Sequence, residues 1–293
     1  MISLDGKTMY SIYSRVLLNT EETGEILLVT SKGVYFSLNN HIFQLTLSEF
    51  GYTPIGIHIE NIDFLTSVNW KAGQPVCLKE GVLHLPDCRV NLEILKANHE
   101  SHAFQFLPSQ INDCAVALAA LQKANGVSTL CSALVYPREE PASFVNALCQ
   151  STYPLLCNLI DALKRGSITS TLEPLIGLGI GLTPSLDDVI LGMLYTFLRA
   201  IPHAQITQEL QSAVITLSTD RTNAISAAYL QAVADGAAFE RLDDLLLGLS
   251  GQNPMNLEPI LQIGSSSGSE MLLGALIAAK IITDEVLLCN ILN

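Results

Sequence analysis

Residues 176–188 read IGLGIGLTPSLDD. Gly177, Gly179 and Gly181 are followed by Thr183, Pro184 and Ser185, and then by two adjacent aspartates, Asp187 and Asp188. A glycine-rich loop feeding a helix N-terminus presents backbone N–H groups to an anion. Glycine also lets a backbone or a ligand come close where a side chain would intrude. Carboxylates beside such a loop can hold a cation or move a proton. The same residues also make a good helix start. Pro184 drives Thr183 into an extended conformation, so Thr183 is the expected N-cap and Pro184 the first helical residue, with the helix running to about Ala200. Two acids in the first turns complement the helix dipole. Leu186, Val189, Ile190, Met193, Leu194, Phe197 and Leu198 recur at helical spacing and define one apolar face. That spacing places Asp187 at the margin of the face and points Asp188 away from it. Gly179, Gly181, Thr183 and Ser185 are therefore candidate ligand-binding residues. Asp187 and Asp188 are candidate catalytic groups, and the ligands of a magnesium ion if the site uses one.

A second helix entrance, IGSSSGSEMLLGALIAAKI, spans residues 263–281. Ser267 and Glu270 fit a capping box ahead of an apolar helix. Three successive serines, Ser265, Ser266 and Ser267, lie between Gly264 and Gly268, and offer more hydroxyl and N–H donors than a cap requires. The run also satisfies G-x-S-x-G with Ser266 central. The hydrolase elbow of that pattern needs an acid and then a histidine after the serine, and the last histidine is His203. A third entrance, STDRTNAISAAYLQAVADG, spans residues 218–236. Ser218, Thr219 or Asp220 can cap it and Gly236 can close it. Arg221, Thr222 and Asn223 crowd donors into its first turn, and arginine grips carboxylate or phosphate as a bidentate fork.

Other chemistry-bearing residues are less well placed. His99 and His102 have an H-x-x-H spacing without a matching ligand set. Asp243 and Asp244 fall on an ordinary amphipathic helix. The seven cysteines, Cys289 among them, include no CxxC and read as reduced, buried side chains. No P-loop lysine is present, and the glycine spacing is not G-x-G-x-x-G.

These loops need a scaffold, and the chain has the apolar content for one: 49% hydrophobic and 15% charged residues over 293 positions. The texture predicts an α+β protein with two domains. Residues 1–105 hold short apolar runs, EILLVTS, GVYFSLN, HIFQLTL, IGIHIEN, PVCLKEG and VLHLPD, cut by turn residues as in a barrel or sandwich. Residues 106–293 read mainly as helices ending in glycine, as in SQINDCAVALAALQKANG and ASFVNALCQSTYPLLCNLIDALKRG. No internal repeat stands out. A net charge of −13 with no Lys/Arg cluster argues against nucleic acid as a partner. No clean apolar tract is long enough to span a membrane and no signal peptide is visible, so the expected location is the cytoplasm.

Taken in order, GLGIGLTPSLDD, RTNAISAAYLQAVADG and IGSSSGSEMLLGA resemble a family with a G-x-G-x-G-L-T-P-S-x-D-D signature. It is the family of AllH, a subunit assigned to oxamate carbamoyltransferase in bacterial allantoin breakdown. The resemblance covers roughly residues 174–280. It implies carbamoyl transfer between oxalurate and phosphate, giving oxamate and carbamoyl phosphate, together with companion subunits, one of them similar to acyl-CoA synthetases. It implies that Thr183, Ser185 and Ser265–Ser267 bond phosphate or carboxylate oxygens. Arg221 would then neutralise a substrate carboxylate, and Asp187 or Asp188 would orient an amide, act as base or bind a metal. The family often has Gly-Pro where Gly179-Ile180 stands, a small or polar residue at Leu186, His at Ser265 and Asp at Glu270. The alternative is a binding or assembly subunit, or a homo-oligomer, in which the glycines serve close helix packing.

Overall fold

The computed structural model describes residues 2–9, 21–60, 68–95, 104–121, 126–135, 146–165 and 168–292, with side chains as far as Asp284 in the last helix. His99, His102 and the side chain of Cys289 lie outside these residues. The chain divides into two compact units, Met1–His99 with Asp235–Glu240, and Glu100–Ala234 with Arg241–Asn293.

In the first unit eight strands close into a barrel: β1 (Ile2–Met9), β2 (Glu21–Thr30), β3 (Gly33–Leu38), β4 (His41–Leu47), β5 (Gly56–Ile59), β6 (Pro75–Lys79), β7 (Val82–Leu85) and β8 (Cys88–Leu95). The order around the barrel is β1-β5-β4-β3-β2-β6-β7-β8. The β4–β5 and β1–β8 pairs are parallel and the others antiparallel. Six strands match the apolar runs of the sequence. β1 and β8 do not, because their alternate residues (Asp5 and Lys7, Arg89, Asn91 and Glu93) give them a polar reading. The hairpin turns are set by residues that accept positive φ: Asn39 (45°) and Asn40 (67°) join β3 to β4, and Glu80 (51°) and Gly81 (77°) join β6 to β7. Alternation then aims Val76, Leu78, Leu83, Leu85, Cys88 and Val90 inward, where they meet Phe36, Phe43, Ile57 and Trp70. The segment Asp235–Glu240 joins this unit through Glu240, whose N–H donates to the Tyr52 carbonyl at 3.0 Å. Its Oε2 accepts from the Tyr52 N–H at 2.8 Å.

His58, on β5, is buried in this unit. Its Nε2 accepts from Thr53 N–H at 3.3 Å and its Nδ1 lies 3.3 Å from the Lys7 carbonyl. Burial lowers its pKa from 6.5 to about 4, against the opposing pull of that carbonyl. Between these values the unfolded chain binds a proton that the folded chain refuses. Stability should therefore fall as pH drops from 6.5 to about 4 and level off below, a loss of roughly 3 kcal/mol at most. Trp70 is the single tryptophan and lies in the barrel core, so its fluorescence reports this transition in denaturant titrations. The pH slope should flatten in His58→Asn.

The remaining elements are helices: α1 (Pro108–Ala120), α2 (Cys131–Leu134), α3 (Ala147–Arg165), α4 (Thr169–Leu172), α5 (Ser185–Ala200), α6 (Gln205–Arg221), α7 (Ala224–Ala234), α8 (Glu240–Leu249), α9 (Glu258–Leu261) and α10 (Ser267–Leu292). α5 packs most extensively on α10, and also on α6 and α7. A Cβ on Gly192 of α5 would stand 2.0 Å from the Met271 carbonyl oxygen, and one on Gly274 of α10 would stand 1.9 Å from that of Val189. The backbones therefore touch at two glycines. The contact is reciprocal, and it exposes a pattern the sequence reading missed. Ser185-x-x-Asp188-x-x-x-Gly192 and Ser267-x-x-Glu270-x-x-x-Gly274 open their helices in the same way, the eighth residue of each lying on the fifth of the other.

Candidate functional site

The crossing fixes where the chemistry-bearing residues stand. α5 is buried on every side from Ser185 to Phe197, including Asp187 and Asp188, each only 1% exposed. The expected single apolar face, with Asp188 turned away, is corrected: α7, α10 and the loops around them cover the opposite side as well. The expected cap also shifts by one residue. Pro184 is the N-cap, its carbonyl accepting from the N–H groups of Asp187 and Asp188 at 2.9 and 3.2 Å, and Ser185 opens the helix. Thr183 is thereby released from capping.

Asp187 ties three segments together. Its Oδ1 accepts from the Gly177 N–H at 2.7 Å, and its Oδ2 accepts from the hydroxyls of Thr222 and, at 2.6 Å, Ser226. Desolvation raises its pKa, and these three hydrogen bonds oppose the rise. Both oxygens of Asp187 are thus engaged by protein donors. Among the described residues no group of three or more His, Cys, Asp or Glu is placed to hold a metal ion. The glycines make the loop fit: a Cβ on Gly177 (φ 82°) would meet the Arg221 carbonyl oxygen at 2.0 Å, and one on Gly179 (φ 131°) the Ser185 nitrogen at 2.3 Å.

Asp188 faces a different set. Its Oδ2 accepts from Thr183 Oγ1 at 2.9 Å, and Thr183 Oγ1 lies 3.1 Å from Ser267 Oγ. Burial pushes its pKa well up, reinforced by the nearby Glu270 charge and opposed by the Ser267 and Thr183 hydroxyls. Glu270 is itself buried, and its Oε1 accepts from the Val127 N–H at 3.3 Å. This corrects the capping box: Ser266 supplies the capping carbonyl of α10, which accepts from Glu270 N–H and from the Ser269 hydroxyl, while the Glu270 side chain reaches across to Val127.

The third entrance is displaced in the same sense. α6 continues to Arg221, so Ser218, Thr219 and Asp220 are helical and Asn223 caps α7. Its Oδ1 accepts from Ile225 and Ser226 N–H, both at 3.1 Å, and its Nδ2 donates to the Leu182 carbonyl at 2.9 Å. The Arg221 guanidinium is half-exposed and ion-paired with Glu173. Ser265 is exposed, and Ser266 and Ser267 are half-buried. Gly181 (φ 126°) and Leu182 are exposed, and Ile180 between the two glycines is 84% exposed. Away from these loops, Asp243 accepts from Arg199 Nε at 2.9 Å. Arg241 pairs with Asp244 at 3.5 Å.

The three loops are thus joined by direct hydrogen bonds: Thr183 to Ser267, Asn223 to Leu182, and Thr222 to Asp187. A separate open cavity of about 630 Å³ is lined by Ile168, Thr169, Ser170, Gln205, Gln208, Glu209 and Ser212, and contains none of these residues. Sequence reading missed Ser226 and the Gly126–Val127 segment, and gave Glu270 only a capping role. Gly126 passes so close that a Cβ there would lie 2.7 Å from Glu270 Oε1 and 3.3 Å from Ser266 Cβ. Ser226 and Glu270 carried a signal, since each stands in the first turn of a helix that opens on a polar cluster.

No solved structure matches the chain. Among the described residues no helix is long and apolar enough to cross a membrane. Residues 175–279, the span that holds all three polar helix entrances, match the family model described as oxamate carbamoyltransferase subunit AllH, and over that span the chain is AllH-like.

Proposed function

We propose that the chain is a subunit of a carbamoyltransferase-type enzyme of the cytoplasm, acting in allantoin and purine nitrogen breakdown and working with companion subunits. Its ligand is a small anionic amide or carbamoyl phosphate, held where the 179–185, 221–223 and 265–267 segments meet. One observation supports this reading above the others: hydroxyls from two distant entrances, Thr183 and Ser267, stand 3.1 Å apart beside a buried carboxylate, within the span that matches the AllH family. Neutral hydroxyl and N–H donors at helix starts suit an anion in a protein whose overall charge is negative.

Calorimetric titration of the purified chain with carbamoyl phosphate, oxamate and oxalurate, with and without Mg²⁺, tests it. Binding of at least one ligand is expected, weakened about tenfold or more in Ser265→Ala or Ser267→Ala through loss of a hydrogen bond to a charged group. Silence toward all three would sink the ligand-binding reading. It would favour the alternative, a non-catalytic assembly subunit, for which the exposed Ile180 and Leu182 side chains offer an apolar contact.

A further inference from the structure

We propose that Ser267 is a nucleophile that accepts the carbamoyl group, with Asp188 as its base and Thr183 as the positioning residue between them. The proposal rests on the carbamoyl-transfer reading above. The Thr183 hydroxyl has one proton, and it is given to Asp188 Oδ2 at 2.9 Å. In the 3.1 Å contact between Thr183 and Ser267 the donor is therefore Ser267. This orders a proton path from Ser267 through Thr183 to Asp188. The path runs from half-buried hydroxyls to a carboxylate that is 1% exposed. Nucleophile, base and a third group that orients them is the arrangement that activates a hydroxyl.

Two further features serve the same end. Ser267 is the first residue of α10, where the helix dipole favours negative charge developing on a bound carbamoyl oxygen. Gly264 (φ 58°) lies against Ser267, and a Cβ there would stand 2.9 Å from its Oγ, so glycine leaves that side of the hydroxyl uncovered. Burial raises the Asp188 pKa, which favours its holding a proton taken from the hydroxyl. Ser266, the centre of the G-x-S-x-G run, is instead occupied through its carbonyl as the α10 cap.

In the first step Ser267 Oγ bonds to the carbamoyl carbon of carbamoyl phosphate, and the carbon–oxygen bond to phosphate breaks. Phosphate leaves with the bonding electron pair, and the hydroxyl proton passes to Asp188. In the second step the nitrogen of the acceptor amide attacks the carbamoyl ester. The ester bond breaks, Asp188 returns its proton to Ser267 Oγ, and the nitrogen gives up a proton to Asp188 in exchange. Loss of that proton to solvent restores the carboxylate.

The test is acid quenching of the full chain after incubation with carbamoyl phosphate, followed by peptide mass spectrometry, with calorimetric binding measured on the same samples. A carbamoyl mass increase on Ser267 is expected. It should be absent in Ser267→Ala, slowed about a hundredfold in Asp188→Asn, as for loss of a catalytic base, and largely restored in Thr183→Ser after loss in Thr183→Val. Adducts confined to lysine and cysteine, or binding without any adduct, would overturn the nucleophile while leaving the binding reading intact. Absence of binding by the wild type would overturn both.

Discussion

Asp187→Ala is expected to destabilise the helical unit by roughly 3 kcal/mol or more, because three donors lose a charged acceptor at once. Those donors are the Gly177 N–H and the Thr222 and Ser226 hydroxyls, which come from the loop before α5 and from the start of α7. Thermal unfolding should register the loss at ~2–4 °C per kcal/mol for a unit of this size. Its neighbour should behave in the opposite way. Asp188→Asn is expected to leave the fold intact and to stabilise it near neutral pH. The Asp188 pKa is raised in the folded state, so the wild type has its full stability below the unfolded value of 3.8 and loses part of it as pH rises through the folded one. The advantage of the asparagine variant should therefore grow with pH and vanish in acid. Equal losses in the two variants would mean that the carboxylates share one role.

Gly192→Ala and Gly274→Ala form the second test. In an exposed helix such a change gains about 1 kcal/mol of helix propensity. Here the added methyl meets a carbonyl oxygen of the facing helix at 2.0 or 1.9 Å, and something has to move. A net loss of about 1–3 kcal/mol is expected for each. The double variant should lose less than the sum, because helices already spread by one methyl have room for the other. Additive losses, or a gain in either single variant, would show that the crossing is not held at contact distance.

Much of the scaffold could be read from the sequence alone, because alternation and turn residues leave a local trace. Asn39–Asn40 and Glu80–Gly81 mark turns, and the six apolar runs mark strands. β1 and β8 escaped because their alternate residues are polar and because both partners of β1 are distant in sequence, a cost of reading strands one at a time. The helix entrances were visible as polar clusters, but not which residue caps. Thr183, Glu270 and Ser218 were each assigned a local capping role, whereas tertiary neighbours claim Thr183 for Asp188 and Glu270 for Val127, and α6 absorbs Ser218. Residue type gave the donors and acceptors. Their pairing across 84 positions, Thr183 to Ser267, or 143, Val127 to Glu270, has no local signature.

The parallel pairing of β1 with β8 carries a consequence for how the protein is handled. The first strand is sealed on one side by β5 and on the other, along all eight residues from Ile2 to Met9, by Cys88–Leu95. This junction joins the first strand of the barrel to the last. Trimming the first nine residues would therefore not shorten a tail. It would unzip a closed cylinder into an open sheet with two bare margins, each a ladder of unpaired N–H and C=O groups that another copy of the chain can dock on. Variants lacking that strand should elute as aggregates, and fusions are better attached through a spacer that leaves Ile2 free to pair.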